Sequence, residues 1–317
     1  MSSAVNRTLI GGSLLAALTI AAGVAGAAPP KREVRVFVLV SQDAPPFQAA
    51  VAGLKRALET PEMKPEIAVI QLRGEAAQAG TAVQQARQGK AQVIVAFGSL
   101  ATQAAVREVR EIPIVAGLIL NADDLGKAPN ATAVILEFPV ETEFRWMQRL
   151  LPGEKNIAVL YNPAENQNRV DAAGKAAKGL GLVLNARKLQ SPKELPDALD
   201  ALTNHADVLW GLADQVVLTP QTAQPILLFS MRNRIPFVGL SQNWVKAGAL
   251  YALDRDYDDI GAQCGELAVK ILQGAPPSGL APVPPRKVVY SINLRTARHM
   301  KLDIPSGVLR DAQAVIE

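Results

Sequence analysis

The stretch Leu151–Leu184, LPGEKNIAVLYNPAENQNRVDAAGKAAKGLGLVL, decides the fold. Pro152-Gly153 stops the element before it. Ile157–Tyr161 is then a short, apolar run of strand length, Ala164–Leu180 has the length and composition of a helix, and Leu182–Leu184 starts a second strand. Strand, helix and strand in close succession form a βαβ unit, which requires a parallel sheet covered by helices.

The same alternation runs outward in both directions. Upstream, Val34–Val40 is a strand, and Phe47, Val51, Leu54 and Leu58 keep one face of the following helix apolar. Ile67–Leu72, Val93–Phe97 and Ile112–Ala116 follow as strands, the last with Pro113 near its start, where a missing N–H is tolerated. Ala133–Phe138 is extended. Pro139 opens a helix whose Phe144, Met147, Leu150 and Leu151 line one side. Downstream come a helix over Pro192–Leu202 and strands over Val208–Gly211 and Phe237–Gly239. Two successive runs of this kind predict an α/β protein of two similar lobes. The stretch from Pro236 onward is too short for a third lobe and must complete the first two. Pro276-Pro277-Ser278-Gly279, with Pro282, Pro284 and Pro285, reads as a stiff connection, equally suited to a lobe-to-lobe crossing or a surface loop.

Composition limits the function. A chain of 317 residues, 49% hydrophobic, builds a substantial core and excludes a disordered or fibrous protein. The net charge of +4 is dispersed, with no basic run longer than Lys31-Arg32 and no aromatic-basic interleaving, so no nucleic acid is expected as a partner. Near the start, Arg7, an apolar stretch from Leu9 to Val24 and Ala25-Gly26-Ala27 have the order of a secretory signal peptide over residues 1–27. An uncleaved anchor is the alternative. The expected product is free in the periplasm. Cys264 is the single cysteine and shares a helical stripe with Ile260, Leu267, Ala268 and Ile271, which predicts a buried thiol. His205 and His299 are the two histidines, and neither belongs to a nucleophile or metal motif, so no cofactor or metal is expected.

Several segments resemble the substrate-binding proteins of ABC transporters, in a branch that includes tryptophan- and tyrosine-binding members. They are Ile112-Pro113-Ile114-Val115, Asn130-Ala131-Thr132, Leu150-Leu151-Pro152-Gly153, Val159-Leu160-Tyr161-Asn162-Pro163, Gly248-Ala249-Leu250 and Asp256-Tyr257-Asp258-Asp259-Ile260-Gly261. The block Asn293-Leu294-Arg295-Thr296-Ala297 with Ile304-Pro305 is the most characteristic. The resemblance implies two Rossmann-like lobes with parallel sheets, joined by a three-crossing hinge as in type I periplasmic binding proteins. On that pattern residues 28–138 plus 255–275 form the first lobe, and 139–254 plus 276–317 the second. Two departures stand out. Ile119-Leu120-Asn121-Ala122-Asp123-Asp124-Leu125 replaces the family's usual Asp-Pro and Gly-Leu, so one pocket wall is expected to differ in chemistry, and His299-Met300-Lys301 replaces the usual end of the C-terminal helix.

In open parallel sheets ligands bind at the carboxyl ends of the strands, where loops and helix N-termini converge. The candidates on the first lobe are Ser41, Gln42, Gly98, Ser99 and Asn121, with Leu120 beside it. On the second they are Tyr161, Asn162, Asn166, Asp214 and Ser241, with Gln242 beside it, and Asp254 lies near a crossing. Each has a plainer role. Ser99 could cap the next helix, Asn162-Pro163 could be a turn pair, and Tyr161 and Trp244 could be core. An isolated carboxylate after an apolar strand needs a partner, so Asp214 is expected to meet a cationic group such as a ligand ammonium. An aromatic content of 4% leans away from a sugar and toward an amino acid or another small zwitterion.

The expected function is capture of a small ligand between two lobes and delivery to an inner-membrane ABC permease by a monomeric protein. A ligand sensor for a receptor is the second reading. An exported α/β enzyme is the third, and it lacks a G-x-S-x-G elbow, a P-loop and a G-x-G-x-x-G loop.

Overall fold

The computed structural model describes residues 31–317, and the signal-peptide reading of residues 1–27 lies outside the described residues. The chain begins with β1 (Arg32–Val40), α1 (Pro45–Leu58), β2 (Met63–Gln71), α2 (Ala76–Gln88), β3 (Val93–Phe97), α3 (Ser99–Glu108), β4 (Ile114–Ile119) and β5 (Ala131–Ile135). It continues with α4 (Val140–Leu150), β6 (Asn156–Tyr161), α5 (Pro163–Gly179), β7 (Val183–Lys188), α6 (Leu195–Asp200), β8 (Val208–Trp210), α7 (Pro220–Asn233), β9 (Phe237–Gly239) and α8 (Gln242–Ala247). The last elements are β10 (Tyr251–Arg255), α9 (Tyr257–Leu272), β11 (Val288–Asn293), α10 (Leu294–Met300), α11 (Ser306–Asp311) and β12 (Ala314–Ile316).

These strands form two sheets, ordered β2-β1-β3-β4-β5 and β12-β11-β10-β9-β8-β6-β7. All pairings are parallel except β10 with β11. Every residue of β3 and β4 is buried, because helices cover both faces of the first sheet. Helices α1 and α9 pack on one face and α2 and α3 on the other. On the second sheet α4, α5, α10 and α11 share one face, and α6, α7 and α8 the other.

The strand limits differ from expectation where the chain lies at a sheet edge or next to proline. β2 starts at Met63 rather than Ile67 and follows β1 residue for residue, with polar Lys64 and Glu66 masking its periodicity. β7 continues to Lys188 although the last residues are polar, since it is an edge strand with one solvated side. β4 begins after Pro113, whose carbonyl still accepts the N–H of Ile94, and runs on to Ile119 through a bulge at Leu118, φ 56°. The expected helix over Pro192–Leu202 is a 3₁₀ turn followed by the short α6. Of the segment Ala133–Phe138 only the part up to Ile135 is strand.

The chain passes between the sheets three times. Leu136–Pro139 leads from β5 to α4, Asp256 leads from β10 back to α9, and the proline-rich segment leads from α9 to β11. On that last passage Val283 donates its N–H to Ala133 and accepts that of Ile135, so the segment is pinned along the edge of the first sheet. Helix α9 returns to α1 at glycine-to-backbone distance. A Cβ on Gly53 would fall on the carbonyl of Asp258, and one on Gly261 would fall on the carbonyl of Ala50. Cys264 lies fully buried on the same helix face, and burial pushes its thiol pKa up.

Candidate ligand-binding cleft

Each sheet reverses strand order once, between β1 and β3 in the first and between β6 and β8 in the second. Loops diverge at these points and leave a crevice. At the first, Ser41 follows β1 and Gly98 follows β3. Gly98 has φ 89°, and a Cβ there would stand 2.7 Å from the Ser41 Oγ, so glycine is required. The Ser41 Oγ accepts the N–H of Ala101 at 3.0 Å and thereby caps α3 from another loop. This corrects the capping role expected of Ser99, which is the exposed first residue of the helix and follows Gly98 at the cap position. Gln42 is exposed beside them.

At the second reversal Asp214 is buried and both carboxylate oxygens are engaged. One accepts the N–H of Asn162 at 2.7 Å and the Nδ2 of Asn166 at 2.9 Å, while the other accepts the N–H groups of Val216 and Val217, each at 2.8 Å. The partners that the sequence assigned to a ligand cation are therefore amides of the protein itself. Asn162 caps α5 through the N–H of Ala164, and Tyr161, buried at the end of β6, donates its hydroxyl to Gln167 at 3.2 Å. Ser241 precedes α8 without a side-chain cap, and Trp244 packs edge-on against Phe237 in the core. Asp254 accepts the hydroxyl of Tyr257 at 3.1 Å, and burial together with this carboxylate pushes the phenol up to about 12.

A cleft of about 660 Å³ opens between the carboxyl ends of the two sheets, within the usual size for a small-molecule site. Leu120, Asn121, Asp123, Ile135, Glu137 and Phe138 line it from the first sheet and first crossing. Asn166, Arg169, Gly211, Leu212, Ala213 and Leu240 line it from the second, with Arg255 and Pro284 at the other crossings. Of the residues singled out in the sequence, Leu120, Asn121 and Asn166 face this space. Leu120 is 52% exposed there, an apolar side chain left open to the cleft. Asn121 accepts the N–H of Asp123 and shapes its turn. Ser41, Gln42, Gly98, Ser99, Tyr161, Asn162, Asp214, Ser241 and Asp254 are outside the lining; among them Ser41, Gly98, Asn162 and Asp214 hold the loops that frame it. A larger hollow of about 750 Å³ lies between β7 and the segment after α6, lined by residues such as Asn185 and His205.

The cleft floor holds a charged cluster that the sequence reading passed over. Arg169 bridges Glu137 at 2.8 Å and Glu143 at 3.0 Å, and Glu143 also accepts the Trp210 Nε1 at 3.1 Å. Burial raises the Glu143 carboxyl above its ordinary range, against the opposing pull of Arg169 and Arg255. Arg255 donates its Nε to the Leu136 carbonyl at 2.7 Å and stacks over the Phe138 ring at 4.8 Å. The strand-end rule reaches Arg255, the last residue of β10, as readily as its neighbour Asp254. Glu143 gives a weaker sign, a carboxylate next to the apolar stripe of α4.

Comparison with known proteins agrees with this architecture. The family described as "ABC transporter substrate binding protein" matches residues 33–316. The tyrosine-binding protein of Clostridioides difficile (strain R20291) is 26% identical over 197 residues, 58% of this chain and 56% of that protein, so the chain matches little more than half the length of that relative. An uncharacterised protein of Rickettsia prowazekii (strain Madrid E) is 24% identical over 279 residues, 87% of each. The ligand-free, open structure of a substrate binding protein with adhesive properties from Clostridium difficile has a TM-score of 0.73 at 20% identity, covering 89% of this chain and 99% of that one. A Streptococcus pneumonia ABC domain in complex with L-Trp has a TM-score of 0.56 at 20% identity, covering 90% and 100%. At these identities the structures speak for the fold, two α/β lobes of the type I periplasmic binding protein kind. With the family matched over nearly the whole described length, the chain belongs to the ABC transporter substrate binding proteins, which bind their ligands and are not enzymes.

Proposed function

We propose that this protein captures a small ligand, an amino acid or another small zwitterion, between its two lobes and delivers it to an ABC permease from the periplasm. The cleft of about 660 Å³ at the carboxyl ends of both sheets carries this reading. We assign residues 28–138 plus 255–275 to one lobe and 139–254 plus 276–317 to the other, with the three passages near Phe138, Asp256 and Pro284 as the hinge. Closure about this hinge would carry Ser41, Gln42, Ser99 and Asn121 toward Asn162, Asn166 and Ser241 and shut water out. The L-Trp complex of the pneumococcal relative and the name of the tyrosine-binding relative support an amino acid as ligand. Native mass spectrometry of freshly purified protein tests the reading. A retained small molecule that is lost on denaturation is the expected result. Protein that retains nothing, and whose unfolding midpoint no amino acid raises, would overturn it.

A further inference from the structure

Arg255 differs from the other arginine of the cleft floor. Arg169 has two carboxylates, whereas among the described residues Arg255 forms no ion pair and its terminal Nη groups have no hydrogen-bond acceptor. It is nevertheless half-buried and held in place, by its Nε on the Leu136 carbonyl of one crossing and by its face on the Phe138 ring. A guanidinium is a rigid fork. With Nε anchored and one face stacked, the remaining pair of donors is aimed by the fold rather than by chance.

The surroundings narrow what those donors accept. The cleft lining carries four acids, Asp123, Glu137, Glu143 and Glu165, and only two arginines, one of them already spent on Glu137 and Glu143. A dianionic phosphate would meet one free guanidinium and be repelled by Asp123, Glu137 and Glu165, whereas a single carboxylate matches the fork in charge and shape. Arg255 also borders a recess of about 50 Å³ under the cleft, lined by Met147, Trp210, Val238, Tyr251 and Leu253, with Glu143 at its side. That recess suits a small apolar group adjoining the carboxylate.

We infer that the ligand is a small monocarboxylate with an apolar substituent, its carboxylate bound by the Nη pair of Arg255 at the β10 crossing. The inference rests on the binding-protein reading and adds the acidic group and the residue that selects it. Because Arg255 stands on a crossing while its ligand lies between the lobes, occupancy would also give the hinge a charge pair that it lacks when empty.

The test compares acids with their amides on the full mature protein: L-leucine with L-leucinamide, L-tyrosine with L-tyrosinamide and L-tryptophan with L-tryptophanamide. Titrations follow the unfolding midpoint and heat of binding of wild type, Arg255→Met and Arg255→Lys. At least one acid should bind wild type and its amide should not. Arg255→Met should weaken the acid about ten- to a hundredfold, as for loss of hydrogen bonds to a charged group. Arg255→Lys, which keeps the charge and loses the fork, should fall between them and serves as the folded control. Equal binding of acid and amide, or an unchanged affinity in both variants, overturns the inference. So does wild type that answers to neither series but retains a molecule without an acidic group; that result leaves the binding-protein reading standing. Wild type that answers to neither and retains nothing overturns both.

Discussion

The carboxylate of Asp214 accepts the backbone N–H of Asn162 at 2.7 Å, so the loop after β8 is tied to the start of α5 across the strand reversal of the second sheet. Its two oxygens hold four donors, two each. An asparagine has one carbonyl oxygen. Whichever way its amide turned, one pair of donors would face an NH₂ group. Asp214→Asn is therefore expected to destabilise the protein by about 1 to 3 kcal/mol, the range for a buried donor left without an acceptor. Urea unfolding measures this, and a loss below about 0.5 kcal/mol would place the carboxylate outside the loop framework.

The Ser41 Oγ accepts the N–H of Ala101, and Gly98 offers no side chain to do so. Ser41→Ala should cost about 1 kcal/mol, the usual effect of losing a helix cap. Ser99→Ala, at an exposed position inside the first turn, should stay within about 0.5 kcal/mol. The reverse order in a denaturant titration would return the capping role to Ser99.

Helices α1 and α9 meet through Gly53 and Gly261, each set against a backbone carbonyl of the other helix. A methyl group at either glycine has no flexible neighbour to displace, so the helices must separate. Gly261→Ala should lose about 3 kcal/mol or more, the upper end of overpacking. Gly174→Ala, on α5 with open space around its Cβ position, is the control and should be neutral or slightly stabilising. Equal stability of the two variants would show that the α1–α9 contact yields easily.

Local sequence signals and long-range pairings divide what the sequence disclosed from what it did not. The apolar runs of β3 and β6 and the Cys264 stripe of α9 are visible because burial repeats within one element. The limits of β2 and β7 are hidden because edge strands need no apolar pattern on their solvated side. At the cleft, the strand-end rule located the two loop systems but not the groups on its floor. The acceptor for Ala101 comes from Ser41, Arg169 reaches back to Glu143, and the anchor of Arg255 is the carbonyl of Leu136. None of these partners is a sequence neighbour, and no periodicity records them. Asp214 shows the converse limit: a lone carboxylate announced that it needed partners, and the loops supplied backbone amides.

Glu143 provides a pH test of the charged floor. Its carboxyl is buried beside Arg169, Trp210, Arg255, Glu137 and Tyr251, and burial, the largest influence, raises its pKa above the ordinary 4.5. A carboxyl with a higher pKa folded than unfolded binds its proton more tightly in the folded state. Its contribution to stability is then complete below about pH 4.5 and is lost as pH rises through the folded pKa. In Glu143→Gln this dependence is absent. The stability of wild type minus that of Glu143→Gln should therefore fall as pH rises above about 4.5, with a slope no steeper than about 1.4 kcal/mol per pH unit, the limit for one proton. Urea unfolding of both proteins across that range measures the difference. A flat or rising difference would mean that Arg169 and Arg255 together outweigh burial and keep Glu143 ionised throughout. In that case Arg255 already has a counter-charge, and its claim on a ligand carboxylate weakens with it.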